Sequence, residues 1–122
     1  MIATEFVEKI KQVVYNSTVT GVLSLMQKVP GRKPSPQLVA LSQWFNQLSE
    51  SDKTKVQNVV ELAARQSIFG FFAVLDGVRQ VEDTEAKGSV ELRYLKDGQT
   101  QLLNDPNDEP LHDLFNQIVP PA

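Results

Sequence analysis

The chain has 122 residues, a net charge of −3 and no cysteine, which fits a single domain over residues 1–122 with enough chain to bury a core, and excludes disulfide stapling. No apolar leader and no uncharged apolar run of about 18 residues is present, so the expectation is a cytoplasmic bacterial-type domain, neither secreted nor inserted in a membrane. Charge is uneven along the chain: residues 1–61 carry seven Lys/Arg against five Asp/Glu, and residues 62–122 carry five against ten. Nucleic-acid binders draw affinity from a dense basic stripe, which this chain lacks, so no nucleic acid is expected as a partner.

Phe6, Ile10, Val13 and Val14 recur at helical spacing among charged residues and predict an amphipathic helix. Tyr15 to Thr18 are residues that favour caps and turns, and predict an interruption before Val19, Val22, Leu23 and Met26 resume a helical stripe. Residues 18–26 are also rich in β-branched side chains, so the reading favours a second short helix and leaves a strand open. Val29 to Pro36 holds three prolines and a glycine and predicts a loop. It ends on a helix start, with Ser35 as N-cap and Pro36 at the first helical position. Leu38, Leu41, Trp44, Phe45 and Leu48 then form a stripe. Core packing is expected of Trp44 and Phe45, with an exposed aromatic anchor for a partner as the alternative.

The stretch around which the rest is organised is a long apolar helix at about residues 52–76. Ser49 with Asp52 three residues on resembles a capping box, and Gly77 predicts a left-handed end. Val56, Val59, Val60 and Ala63 are the expected inner face of its first half. Ile68 to Leu75 contains no polar side chain, which predicts that the rest of the domain covers this end on all sides. Arg65 interrupts the apolar neighbourhood. It either snorkels to the surface or, if buried, needs a carboxylate, and Asp76 lies too far along the same helix to supply one. Asp76 itself faces the negative end of the helix dipole, at a cost of a few tenths to about 1 kcal/mol. Its offset is expected from a hydrogen bond to the following loop or an ion pair with Arg79, or else from a ligand.

An acidic turn-rich segment follows, and then a hairpin at about 89–103. Val90, Leu92 and Tyr94 alternate with Glu91 and Arg93, Asp97-Gly98 suits a tight type I′ turn, and Gln99 to Leu103 is the return strand. Val78 to Glu82 is the candidate third strand. Leu111, Leu114, Phe115 and Ile118 predict a short C-terminal helix, ended by Pro120-Pro121. The fold class is therefore α+β, mainly helical around a central buried helix.

Signals for chemistry are sparse. Asp105, Asn107 and Glu109 alternate like the first ligands of a calcium loop, but Pro110 and Asn116 stand where that loop needs glycine and an acid, so no metal is assigned. One histidine without cysteine or histidine partners leaves no zinc ligand set, and His112 beside Asp113 on a helix face is expected to be solvent-exposed. No activated nucleophile and no phosphate-binding glycine loop is recognisable, so no catalytic residue and no cofactor is assigned. The Arg32-Lys33 pair is read as part of an ordinary loop.

The strings PGRKPSP, LSQWFNQLS and FGFFAVLDGV resemble small uncharacterised bacterial α+β proteins in which a central helix runs into an L-D-G turn and an acidic loop. The resemblance spans about residues 29–82. It implies a shared fold and carries no activity.

The functional expectation is a non-enzymatic protein-interaction module, accessory or immunity-type. It would bind a basic protein partner through Glu82, Asp83, Glu85, Asp105, Asp108 and Glu109, with homodimerisation through the hairpin edge as a further option. The competing expectation is a small hydrolase or ligand- or metal-binding protein that uses Asp76 and the neighbouring carboxylates Glu82, Asp83 and Glu85, converging with His112 or Arg79 on a pocket.

Overall fold

Helix α1 (Ala3–Ile10) continues without a break through a π-helical turn (Lys11–Asn16) into α2 (Ser17–Gln27) in the computed structural model, which describes residues 1–122. No interruption occurs at Tyr15 to Thr18, and residues 18–26 are helix rather than strand. The capping residues are absorbed instead by the wider turn: the Ser17 hydroxyl donates to the Gln12 carbonyl, five residues back, at 3.3 Å. A π-turn advances the inner face by one residue. Val7 is buried ahead of it, and Tyr15, Val19 and Met26 turn inward after it, where an unbroken α-helix would have placed Val14 and Thr18. Val13 and Val14, expected in the buried stripe, are consequently exposed.

Helix α3 (Pro36–Asn46) begins with Pro36 at its first turn, while the Ser35 hydroxyl makes no cap bond. It docks on the end of α2 through polar groups. Ser42 Oγ donates to the Met26 carbonyl at 2.7 Å and Asn46 Nδ2 to the Gln27 carbonyl at 3.0 Å, satisfying carbonyls that a helix C-terminus leaves free. That contact rotates the apolar stripe partly outward. Phe45 and Ser42 are buried, but Leu41 is exposed and Trp44 is 51% exposed, against the expectation that Trp44 belongs to the core.

Helix α4 (Glu50–Leu75) starts as predicted, Ser49 Oγ accepting the Asp52 N–H at 3.1 Å. It stops in a Schellman turn: Gly77 sits at φ +79°, its N–H bonds the Val74 carbonyl, and the Val78 N–H bonds the Ala73 carbonyl. The Arg79 N–H also goes to Ala73, at 3.1 Å. These amides are therefore spent on the helix end, and residues 78–82 form no third strand; Val78 and Val81 are exposed. By length and composition α4 is long and apolar enough to cross a membrane, yet one face of it forms the centre of the core.

That core is a cluster of Val7, Phe72, Leu75, Leu111, Leu114, Phe115 and Val119, joining α1, α4 and the C-terminal helix α5 (Leu111–Ile118). Phe72 meets Phe115 edge-to-face at 5.6 Å and Phe6 at 6.3 Å. The cover over Ile68 to Leu75 is incomplete, contrary to expectation. Gly70, Phe72, Ala73 and Leu75 are buried, whereas Phe71 is 64% exposed; Val59 and Ala63, on the expected inner face, are exposed as well.

Strands β1 (Arg93–Lys96) and β2 (Gln99–Leu102) pair antiparallel with Arg93 opposite Leu102 and Lys96 opposite Gln99. Asp97 (φ +52°) and Gly98 (φ +74°) make the predicted turn. Two strands are marginal alone. This pair is anchored by Asn104, whose Nδ2 donates to the Leu75 and Val90 carbonyls, both at 2.7 Å, and whose Oδ1 accepts the Leu92 N–H at 2.8 Å. One side chain thus ties the hairpin to the free carbonyl at the end of α4, and the fold is α+β.

Candidate functional site

Two helix ends of opposite sign meet at Asp76. Pro110, which precedes α5, offers no side-chain cap, so the first amides of α5 need an acceptor from elsewhere. Asp76, the C-cap of α4, supplies it. Oδ1 accepts the Leu111 N–H at 3.0 Å and Oδ2 the His112 N–H at 2.8 Å, and the carboxylate is 5% exposed. A carboxylate that is unfavourable at the negative end of α4 is favourable at the positive end of α5. This is the offset that the sequence required, and it comes neither from the following loop nor from Arg79.

His112 completes the arrangement. Its Nδ1 lies 2.5 Å from Asp76 Oδ2, its Nε2 lies 3.4 Å from Asp113 Oδ1, and its ring stands edge-on to Phe69 at 5.5 Å. The imidazole is only 16% exposed, where a solvated helix-face residue was expected. Asp76 and His112 are therefore brought together. Arg79 is not; its guanidinium lies back over Gly70, where the missing side chain leaves it room. Both Asp76 oxygens are occupied by donors of α5, and no three carboxylate or imidazole groups converge closely enough to hold a metal ion.

Beside this junction, a cleft of about 430 Å³ opens between the end of α4, residues 77–91 and the hairpin, lined among others by Arg79, Glu82, Lys87, Glu91 and Asn104. Glu82 and Pro106 both line it, and of the six acidic residues expected to meet a partner Glu82 alone does. Glu82 Oε1 accepts the Gly88 N–H at 3.1 Å, Asp105 Oδ1 accepts the Asn107 N–H at 2.9 Å, and Glu109 bonds Gln117. Asp83, Glu85 and Asp108 make no side-chain hydrogen bond. None of the six forms an ion pair. Residues 76–113, which build this end of the molecule, carry ten Asp/Glu against four Lys/Arg, and residues 1–75 carry five against eight.

Sequence reasoning missed the second junction, at Arg65. The side chain is 6% exposed and has no carboxylate partner. Its Nε donates to the Val119 carbonyl at 3.1 Å, its amino groups bond Asn116 Oδ1 and Gln66 Oε1, and the guanidinium lies 5.2 Å from the Phe69 ring centre. A cation at the C-terminus of α5 balances that helix dipole as Asp76 balances its start. The signal was a charged residue inside an apolar run together with a helix end that lacked a basic residue of its own. Nearby, the Tyr15 phenol is pushed above its ordinary value, mainly by burial and further by the Glu61 carboxylate, with Arg65 acting in the opposite sense.

Comparison of the chain with protein-family models, with curated proteins and with solved structures finds no match in any of the three.

Proposed function

We propose that the protein is a non-enzymatic interaction module of the bacterial cytoplasm, accessory or immunity-type, that receives a basic protein partner on its acidic end. The observation that carries this reading is that Glu82, Asp83, Glu85, Asp105, Asp108 and Glu109 form no ion pair, in an end of the molecule that carries ten Asp/Glu against four Lys/Arg. A surplus of charge of one sign at one end of a small domain steers an oppositely charged surface and helps to fix its orientation. The hydrolase or ligand-binding reading draws less support. A general base must be reached by the substrate proton, and the Asp76 carboxylate is 5% exposed, accepts from two α5 amides and faces the His112 ring.

The test is recovery of the full chain from its source cells under native conditions, with the mass of the particle compared with that of the purified chain. A co-purifying basic protein is expected, weakened by added salt and by the triple reversal Glu82→Lys, Asp83→Lys and Glu85→Lys. Retention of the partner at high salt and in the reversed variant would overturn the assignment to this end.

A further inference from the structure

Resting on the reading that the acidic end receives a basic partner, we infer that the cleft there takes an aromatic side chain of that partner, stacked on the Arg79 guanidinium and flanked in sequence by Lys or Arg. The cleft holds about 430 Å³, and its apolar lining is Val74, Leu75, Val81, Val90 and Leu102, of which Val81 is 68% and Val90 47% exposed. Arg79 lines it as well, its guanidinium lying back over Gly70, one helical turn before Val74. The other charges of the lining are engaged within the chain. Asp76 caps α5, Lys87 Nζ donates to Gln80 Oε1 at 2.6 Å, Glu82 Oε1 accepts the Gly88 N–H, and Glu91 pairs with Arg93 at 2.8 Å. Arg79 alone has no partner, in an end of the molecule with ten Asp/Glu against four Lys/Arg.

These neighbours select among side chains. A carboxylate would pair with Arg79 but meets the negative surplus around it. An ammonium group meets the like charge of Arg79 itself. An aliphatic group fills the apolar lining and leaves a guanidinium stripped of water without compensation. The face of an aromatic ring contacts apolar side chains and attracts a planar cation at the same time. Trp, Tyr and Arg are also the residues enriched at the energetic centres of interfaces. Basic neighbours of the ring then meet Glu82 and, next to it in the chain, Asp83 and Glu85, which form no ion pair of their own.

Two capped peptides test it, acetyl-Lys-Lys-Trp-Lys-Lys-amide and its leucine counterpart acetyl-Lys-Lys-Leu-Lys-Lys-amide, titrated at low salt into the isotope-labelled full chain and followed by heteronuclear NMR. Both are expected to shift the amides of Glu82, Asp83 and Glu85, and the tryptophan peptide to bind more tightly and to shift Val90 and Leu102 as well. The ratio of the two affinities is expected to be about 2- to 5-fold larger in the wild type than in Arg79→Gln, the range for a cation–π contact at an exposed site. Comparing ratios cancels the general effect of removing one cation. An unchanged ratio, or a tryptophan peptide that leaves Val90 and Leu102 unshifted, would overturn the aromatic anchor while the shifts at residues 82–85 still stand for the acidic end. No shift at Glu82, Asp83 and Glu85 with either peptide would instead overturn the acidic end as the binding surface, and the anchor with it.

Discussion

Asp76 and His112 are joined twice, the carboxylate accepting the His112 backbone N–H at 2.8 Å while standing 2.5 Å from its ring Nδ1. The C-cap of α4 and a residue in the first turn of α5 are thereby fastened across 36 positions of chain. The segment between them, residues 77–110, returns to its starting point, which makes this bond the clasp of the acidic end.

Removing the clasp should destabilise the whole domain. Asp76→Ala leaves the Leu111 and His112 amides without an acceptor in a nearly closed environment, and a loss of about 2–3 kcal/mol is expected from two unsatisfied donors and a lost cap. Asp76→Asn keeps one acceptor oxygen and should lose about half as much. Urea unfolding measures both, and an Asp76→Ala loss under about 0.5 kcal/mol would show that water replaces the carboxylate.

Asn104 should govern the hairpin locally. In Asn104→Ala, the Leu92 N–H and the Leu75 and Val90 carbonyls lose their partner together. Hydrogen exchange is the discriminating readout. The Leu92 amide should exchange about 10-fold or more faster, matching a local loss of at least about 1.4 kcal/mol, while the amides of Phe72 and Phe115 keep their protection. Uniform loss of protection across α4 and α5 would mean that the hairpin is an integral part of the core.

Much of this architecture was legible from local chemistry. Ser49, Gly77 and Asp97-Gly98 each act through their own backbone neighbours, and each marks the boundary that its residue type predicts. What was not legible depends on which surface meets which. The stripe of α3 is regular, but the free carbonyls of α2 drew Ser42 and Asn46 inward and left Trp44 outside. The π-turn shifts the register of the first helix by a residue without any proline or glycine to announce it. Asp76 was legible as an anomaly of the helix dipole, whereas its partner on α5 belongs to tertiary structure, as does the pairing of Arg65 with Val119.

Arg65 should tolerate no conservative replacement. Arg65→Lys keeps the charge but cannot reach the Val119 carbonyl, Asn116 and Gln66 with one ammonium group as the planar guanidinium does. A loss of about 1.5–3 kcal/mol is expected, the range for hydrogen bonds involving a charged group. Arg65→Met, which restores apolar packing without the charge, should lose the same or less if burial of the unpaired cation is itself costly. A loss below about 0.5 kcal/mol in Arg65→Lys would show that charge alone is enough at the end of α5.

Tyr15 gives the pH dependence. Its phenol is raised in the folded chain, first by burial and then by Glu61, so the native state holds the proton more tightly than the unfolded chain does. The stabilisation is fully present below the unfolded value of about 10 and is lost as pH rises through the higher folded value. Absorbance of the phenolate near 295 nm in Tyr94→Phe, which leaves one tyrosine, should show a midpoint above 10 that falls when the protein is unfolded in urea. Glu61→Gln should move the folded midpoint down without abolishing the shift, because burial is the larger cause.

Gly70 tests the packing of Arg79. A glycine inside a helix costs about 1 kcal/mol relative to alanine, and the atoms that a Cβ at position 70 would meet all belong to the far end of the Arg79 side chain. That side chain is exposed and makes no hydrogen bond or ion pair, so it can swing away at little cost. Gly70→Ala is therefore expected to be neutral or to stabilise by up to about 1 kcal/mol, since the gain in helix propensity outweighs the displacement of one free guanidinium. Thermal or urea unfolding at a fixed protein concentration decides the sign. Destabilisation by more than about 1 kcal/mol would mean that Arg79 is held over α4 and stabilises the end of that helix, in keeping with a cation near a helix C-terminus.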